Sequence, residues 1–107
     1  MQHNYDNTKW GKCRKLKESL GYEKANPLEQ LAIEQIVLCW LNYHQTELCY
    51  ANSFTKSSNR ESDLYWGKQL TFANRRYNWA LETLYRMRKM NLVMQVNTSR
   101  NQIVNNG

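Results

Sequence analysis

Apolar residues recur at helical spacing over two long stretches of the chain. After Asn26-Pro27, apolar side chains fall at 28, 31, 32, 36, 39, 40 and 43, the three-and-four rhythm of one helix face. No helix breaker intervenes until about Asn52, so the pattern predicts one helix over 27–52. Its start is well marked. Asn26 can cap, Pro27 suits the first helical position, and Glu29 stands where a capping box closes. Ile36–Leu41 is apolar all round, which suits a helix packed on more than one side. The polar stretch TKSSNRES then reads as the connection, with Ser58 and Glu61 as a second capping box. A second helix is expected over 60–93. In it Trp66, Leu70, Ala73, Tyr77, Ala80, Leu84 and Met87 alternate at four and three residues, the seam of a helix laid along another, as in a coiled coil. So short a connection makes the two helices antiparallel.

The ends are weaker. Residues 1–8 are polar and look frayed. Residues 9–20 form a short helix, weakened by Gly11 and stopped by Gly21. From Met94 the composition changes: MQVNTSRNQIVNNG has four asparagines and no aromatic residue. Asparagine disfavours helix, and Met94, Val96 and Thr98 alternate with polar residues, so a flexible tail or a short strand is expected over 94–107. The predicted fold class is all-α. A long antiparallel helical hairpin carries a short basic N-terminal helix, docked or free, within one domain over 1–93.

Composition agrees. The 107 residues include one proline and four glycines, too few turn residues for a sandwich or barrel. No apolar run approaches a membrane span, and no secretory h-region is visible. A cytoplasmic protein is expected, with no membrane partner. Cys13, Cys39 and Cys49 form no CxxC pair. Cys39 and Cys49, about 15 Å apart along one helix, cannot bridge. They read as reduced thiols.

Charge changes the picture more. Lysine and arginine outnumber aspartate and glutamate 15 to 9, a net charge of +6. The first long helix carries Glu29, Glu34 and Glu47 and no cation over 27–52, while the second carries Lys68, Arg75, Arg76, Arg86, Arg88 and Lys89 against Glu61, Asp63 and Glu82. Opposite charges flanking the seam would fix the pairing of the arms, yet they cannot absorb the whole surplus. That surplus concentrates twice. Lys9, Lys12, Arg14, Lys15 and Lys17 lie within nine residues, with Trp10 among them, and Lys68, Phe72, Arg75, Trp79 and Arg86 share a second face of the later helix. Cations beside aromatics suit phosphates and unstacked bases. They equally suit an acidic protein surface, or they are solvated faces.

Candidate chemistry is sparse. His44 with Glu47 one turn on offers two ligands, too few for a closed zinc site, and reads as an ordinary partly buried histidine. No glycine-rich phosphate loop and no GxSxG elbow exist. Neither an enzyme, nor a cofactor, nor a metal site is expected. Helix-turn-helix, RNP, KH and zinc-finger signatures are absent too, so any DNA or RNA contact would be to the backbone.

Three segments, PLEQLAIEQIVLCWL, RRYNWALETLYRMRKM and MQVNTSRNQIVNNG, together resemble a group of small helical proteins of bacterial genomes and mobile elements. The likeness covers about 27–105. It implies the hairpin and a bacterial, phage or mobile-element source, and it carries no activity or functional residues. Two readings follow. In one, the protein is a nucleic-acid-binding accessory factor gripping phosphates through the basic segment. In the other, it is an inhibitor or adaptor docking on a larger nucleic-acid enzyme, with Trp66, Arg75 and Trp79 as anchors. Ile36, Val37 and Trp40, with Trp66 and Tyr77, are candidate partner-interface residues, and a homodimer buried on the Ile36–Leu41 face is compatible with either reading.

Overall fold

The computed structural model describes residues 8–56 and 60–106. It is all-α among those residues: α1 (Lys9–Ser19), a single 3₁₀ turn (Tyr22–Lys24), α2 (Pro27–Lys56) and α3 (Arg60–Asn106). The two long helices pack side by side as an antiparallel hairpin, and α1 is docked on it rather than free.

Local chemistry sets the boundaries. Thr8, which the sequence pattern did not single out, caps α1 by accepting a 3.0 Å bond from the Gly11 N–H. Gly21, at φ 76°, takes the left-handed conformation that ends α1 and turns the chain. Asn26 caps α2, its Oδ1 accepting from the Glu29 N–H at 2.9 Å. The reciprocal half of the expected capping box is altered: the Asn26 side-chain amide donates to Glu29 Oε2 at 3.0 Å. At its other end α2 runs a turn beyond 52. Nothing in Ser53–Lys56 forbids helix, and Ser53 Oγ lies 2.9 Å from Asp63 Oδ1 across the hairpin. The expected Ser58 cap lies outside the described residues.

The seam on α3 falls where the heptads place it. Ala73 and Leu84 are buried, and Trp66, Leu70, Tyr77, Ala80 and Met87 are half-buried. On α2 the apolar face is rotated from the expected one. Ile33 and Ile36 are fully buried and cluster with Leu84, while Leu28 and Leu31 stand in solvent. Periodicity could not choose here, because leucines and isoleucines occur on both sides of the helix. Tyr43 stacks on Tyr77, ring centroids 6.3 Å apart and nearly parallel, which fixes mid-seam register.

The largest correction is at the C-terminus. The segment from Met94, expected as a flexible tail or short strand, continues α3 as helix through Asn106. Extending a helix already nucleated over thirty residues costs little, even through asparagine. At 1.5 Å per residue the 47 residues of α3 make a rod of about 70 Å, and its last turns run past the start of α2 unaccompanied.

The molecule is a plate one helix thick, 74 × 41 × 14 Å, with a radius of gyration of 20.0 Å against about 13 Å for a compact domain of this length. No helix among the described residues is long and apolar enough to cross a membrane.

Candidate nucleic-acid interface

The five cations of α1 are contiguous in sequence but are spread around the helix by its 100° rotation per residue. Lys9 turns to α2, its Nζ donating to Gln45 Oε1 at 3.0 Å. Lys17 lies over the Tyr22 ring, 4.5 Å from the centroid. Lys12, Arg14 and Lys15 are exposed. Cys13, Leu16 and Leu20 turn inward and hold α1 to the hairpin. Burial pushes the Cys13 thiol above its ordinary value, opposed by the charge of Lys17.

Trp10 is 74% exposed and overhangs a groove of about 660 Å³ between α1 and α2. Val37, Leu38 and Leu41 give the groove an apolar side, with Arg14, Lys17 and Glu34 beside it. Glu34 accepts the Tyr22 hydroxyl hydrogen bond at 3.1 Å. That bond, then burial and the Glu34 charge, raise the Tyr22 phenol above its ordinary value. A raised phenol stabilises the fold below the ordinary tyrosine pKa, and this is lost as pH rises through the shifted value. In Glu34→Ala, the Tyr22 midpoint, read as the difference in phenolate absorbance from Tyr22→Phe, should fall back toward ordinary tyrosine. An unchanged midpoint would show that the hydrogen bond does not set it.

On α3 the expected mixed face resolves into two neighbouring stripes. Lys68, Arg75, Glu82 and Lys89, each seven residues after the last, lie along the outer edge of the plate, and all are exposed. Tyr65, Phe72, Trp79 and Arg86, also seven apart, form the next stripe round and are exposed as well. Arg86 is held by Glu82 at 2.8 Å, four residues back. Among the described residues, Lys68, Arg75, Arg76 and Lys89 have no acidic partner.

Charge pairing across the seam, expected all along the two arms, is seen where the start of α2 meets α3. Arg88 Nε donates to Glu29 Oε1 at 3.1 Å. Asn91 donates to Glu29 Oε2 at 2.8 Å, and a second Arg88 nitrogen donates to the Leu20 carbonyl at the end of α1. Glu34 bonds Tyr22, and Glu47 lies 3.3 Å from His44 Nδ1. This Glu29–Arg88–Asn91 clamp was not singled out in the sequence, where Glu29 read as a capping residue and Arg88 as a flanking charge. It adjoins a polar crevice of about 760 Å³ where α3 outruns α2.

The candidate partner-interface residues fare differently from one another. Ile36 and Val37 are buried within the chain itself, so they are not available to a second protein: α3 and α1 already cover the two sides of that apolar run. Trp40, Trp66 and Tyr77 are half-buried. Trp40 packs on His44, ring centroids 4.4 Å apart, and Trp66 meets Tyr65 edge-on at 5.1 Å. Among the described residues no three His, Cys, Asp or Glu side chains gather into a metal-binding group, and the three cysteines are free thiols. No family model, curated protein or solved structure matches the chain.

Proposed function

We propose that the protein is a non-enzymatic accessory factor that binds nucleic acid through phosphate contacts. The observation that carries this reading is the outer edge of α3. Its cations are spaced along a straight rod and are not neutralised by the carboxylates of α2, which bond elsewhere. The exposed Lys12, Arg14 and Lys15 of α1, with Trp10 beside them, supply a second basic surface. Lys68 and Lys89 would lie along the phosphates, and Trp10 would stack on an unpaired base. A straight helical rod edged with cations fits backbone contact better than sequence readout.

Fluorescence titration with single- and double-stranded DNA and RNA tests this. Between about 50 and 200 mM salt, binding should weaken by a factor of about 10³, as expected for some six phosphate contacts. Replacing Lys12, Arg14 and Lys15 together by alanine should abolish most binding and make the logarithmic salt slope shallower by about 3. Binding that survives unchanged in that variant removes α1 from the interface. No binding at the lower salt defeats the proposal and leaves the adaptor reading, for which a pull-down that persists after nuclease treatment is the test.

A further inference from the structure

Phe72, Arg76, Trp79 and Thr83 each immediately precede a seam residue: Ala73, Tyr77, Ala80 and Leu84. They therefore repeat the four-and-three rhythm of the seam on a stripe rotated by about 100°, facing out of the flat side of the plate. Gln69 and then Tyr65 continue it at one end, and Arg86 and then Met90 at the other. The four apolar members are between 46% and 69% exposed. A second coiled-coil stripe on a helix whose first stripe is already occupied has no packing partner among the described residues.

We infer that this stripe is the interface of a homodimer in which α3 packs antiparallel on α3 of a second copy. The stripe is complementary to itself in that direction. With the two-fold axis between Tyr77 and Asn78, facing residues have numbers that add to 155. Trp79 then meets Arg76 of the second copy, a cation over the best of the aromatic faces, and symmetry makes the contact twice. Phe72 meets Thr83, and Tyr65 meets the thioether of Met90, a favourable sulfur–aromatic contact. On the outer flank, where neighbours across the interface have numbers that add to 157, Arg75 comes beside Glu82 of the second copy, again twice. Glu82 holds Arg86 through Oε1, so its other oxygen is free for Arg75. A parallel pairing would instead put Trp79 on Trp79 and Arg76 on Arg76.

The sizes agree. Tyr65, Phe72, Trp79 and Met90 together expose on the order of 500 Å² of apolar surface, given 150–250 Å² for a whole aromatic side chain. Two copies thus bury about 1,000 Å², the lower limit for a specific interface, before Arg76 and Thr83 are counted. Stacking two plates 14 Å thick gives a two-layer helical assembly in which each chain has one flat side covered. In the same register Lys68 comes opposite Lys89 of the second copy, a like-charge contact at the exposed ends of the rim, where solvent screens it, while the Arg75–Glu82 pairs hold the centre.

Sedimentation equilibrium of the full chain at tens of micromolar should give the dimer mass. Trp79→Glu should weaken the dimer by at least about 30-fold. Its far-ultraviolet circular dichroism should not change, because Trp79 is 69% exposed in the monomer. Arg75→Glu should weaken it by facing Glu82 with a like charge, and adding Glu82→Arg should restore it. Direction is read by cross-linking. With Cys13, Cys39 and Cys49 replaced, a chain carrying Phe72→Cys and Thr83→Cys should give covalent dimers with a short bis-maleimide. The same spacing on the opposite flank, Asn74→Cys with Tyr85→Cys, should not. A monomeric wild type, a dimer indifferent to Trp79→Glu, or equal cross-linking from both cysteine pairs would each overturn the inference.

Discussion

Ile36→Ala should cost about 3–4 kcal/mol, enough to leave the hairpin only marginally folded. Truncating a buried isoleucine removes apolar contacts and leaves a cavity, and the loss runs from about 2 to 5 kcal/mol depending on how far the site can collapse. Here collapse is limited, because Ile36 and Ile33 sit where all three helices meet, with Leu84 on one side and Leu16 and Leu20 on the other. Among the described residues they are the only large side chains that are fully buried, so no second cluster supports the first. Domain stabilities are commonly about 5–15 kcal/mol, and a plate one helix thick belongs at the lower end. Urea denaturation followed by circular dichroism, at matched protein concentration, measures the loss. Leu31→Ala, on the exposed stripe of the same helix, should stay within about 0.5 kcal/mol. If it costs as much as Ile36→Ala, the seam lies on the other side of α2.

Arg88→Ala should cost about 2–3 kcal/mol and release α1. The guanidinium joins three elements at once: it donates to Glu29 at the start of α2, to the Leu20 carbonyl at the end of α1, and it is carried by α3. The Glu29 side chain is only 12% exposed. Without Arg88 its carboxylate keeps Asn26 and Asn91 but loses its cation, and a largely buried charge without a counter-charge is expensive. The Leu20 carbonyl loses a partner as well. Arg88→Lys should recover less than half of the loss, because a single ammonium cannot bridge a carboxylate and a carbonyl as the planar fork does. Thermal denaturation should show a fall of roughly 10–20 °C for Arg88→Ala, at about 4–8 °C per kcal/mol for a chain near this size. Hydrogen exchange should show α1 amides losing protection before those of the central hairpin. A uniform loss of protection would mean that Arg88 supports the whole fold rather than the docking of α1.

Much of the hairpin was legible in the residues. Asn26-Pro27 and Gly21 announced their turns because each acts through its own backbone and needs no partner. The α3 seam was legible because its apolar residues alternate cleanly against charged neighbours. The face of α2 was not, since Ile36–Leu41 is apolar in every direction and only the positions of α1 and α3 decide which side each takes. The continuation of α3 to Asn106 was hidden because single-residue preferences understate how readily an existing helix extends. Of the basic surfaces, the α1 cluster read as one patch only because sequence adjacency disguises rotation. Arg76, Thr83 and Met90, which complete the outward stripe beside Trp79, were passed over because arginine and threonine do not look like members of an apolar pattern.

The antiparallel register also orders the molecule in time. Ser53 and Asp63 are separated by 10 residues, while Glu29 and Arg88 are separated by 59. Closing the longer loop from the unfolded chain costs about 1.6 kcal/mol more than closing the shorter. Each contact made near the turn shortens the loop left for the next. Chain entropy therefore favours closing the hairpin from the Ser53–Asp63 end, with the Arg88 clamp, which also captures α1, made later.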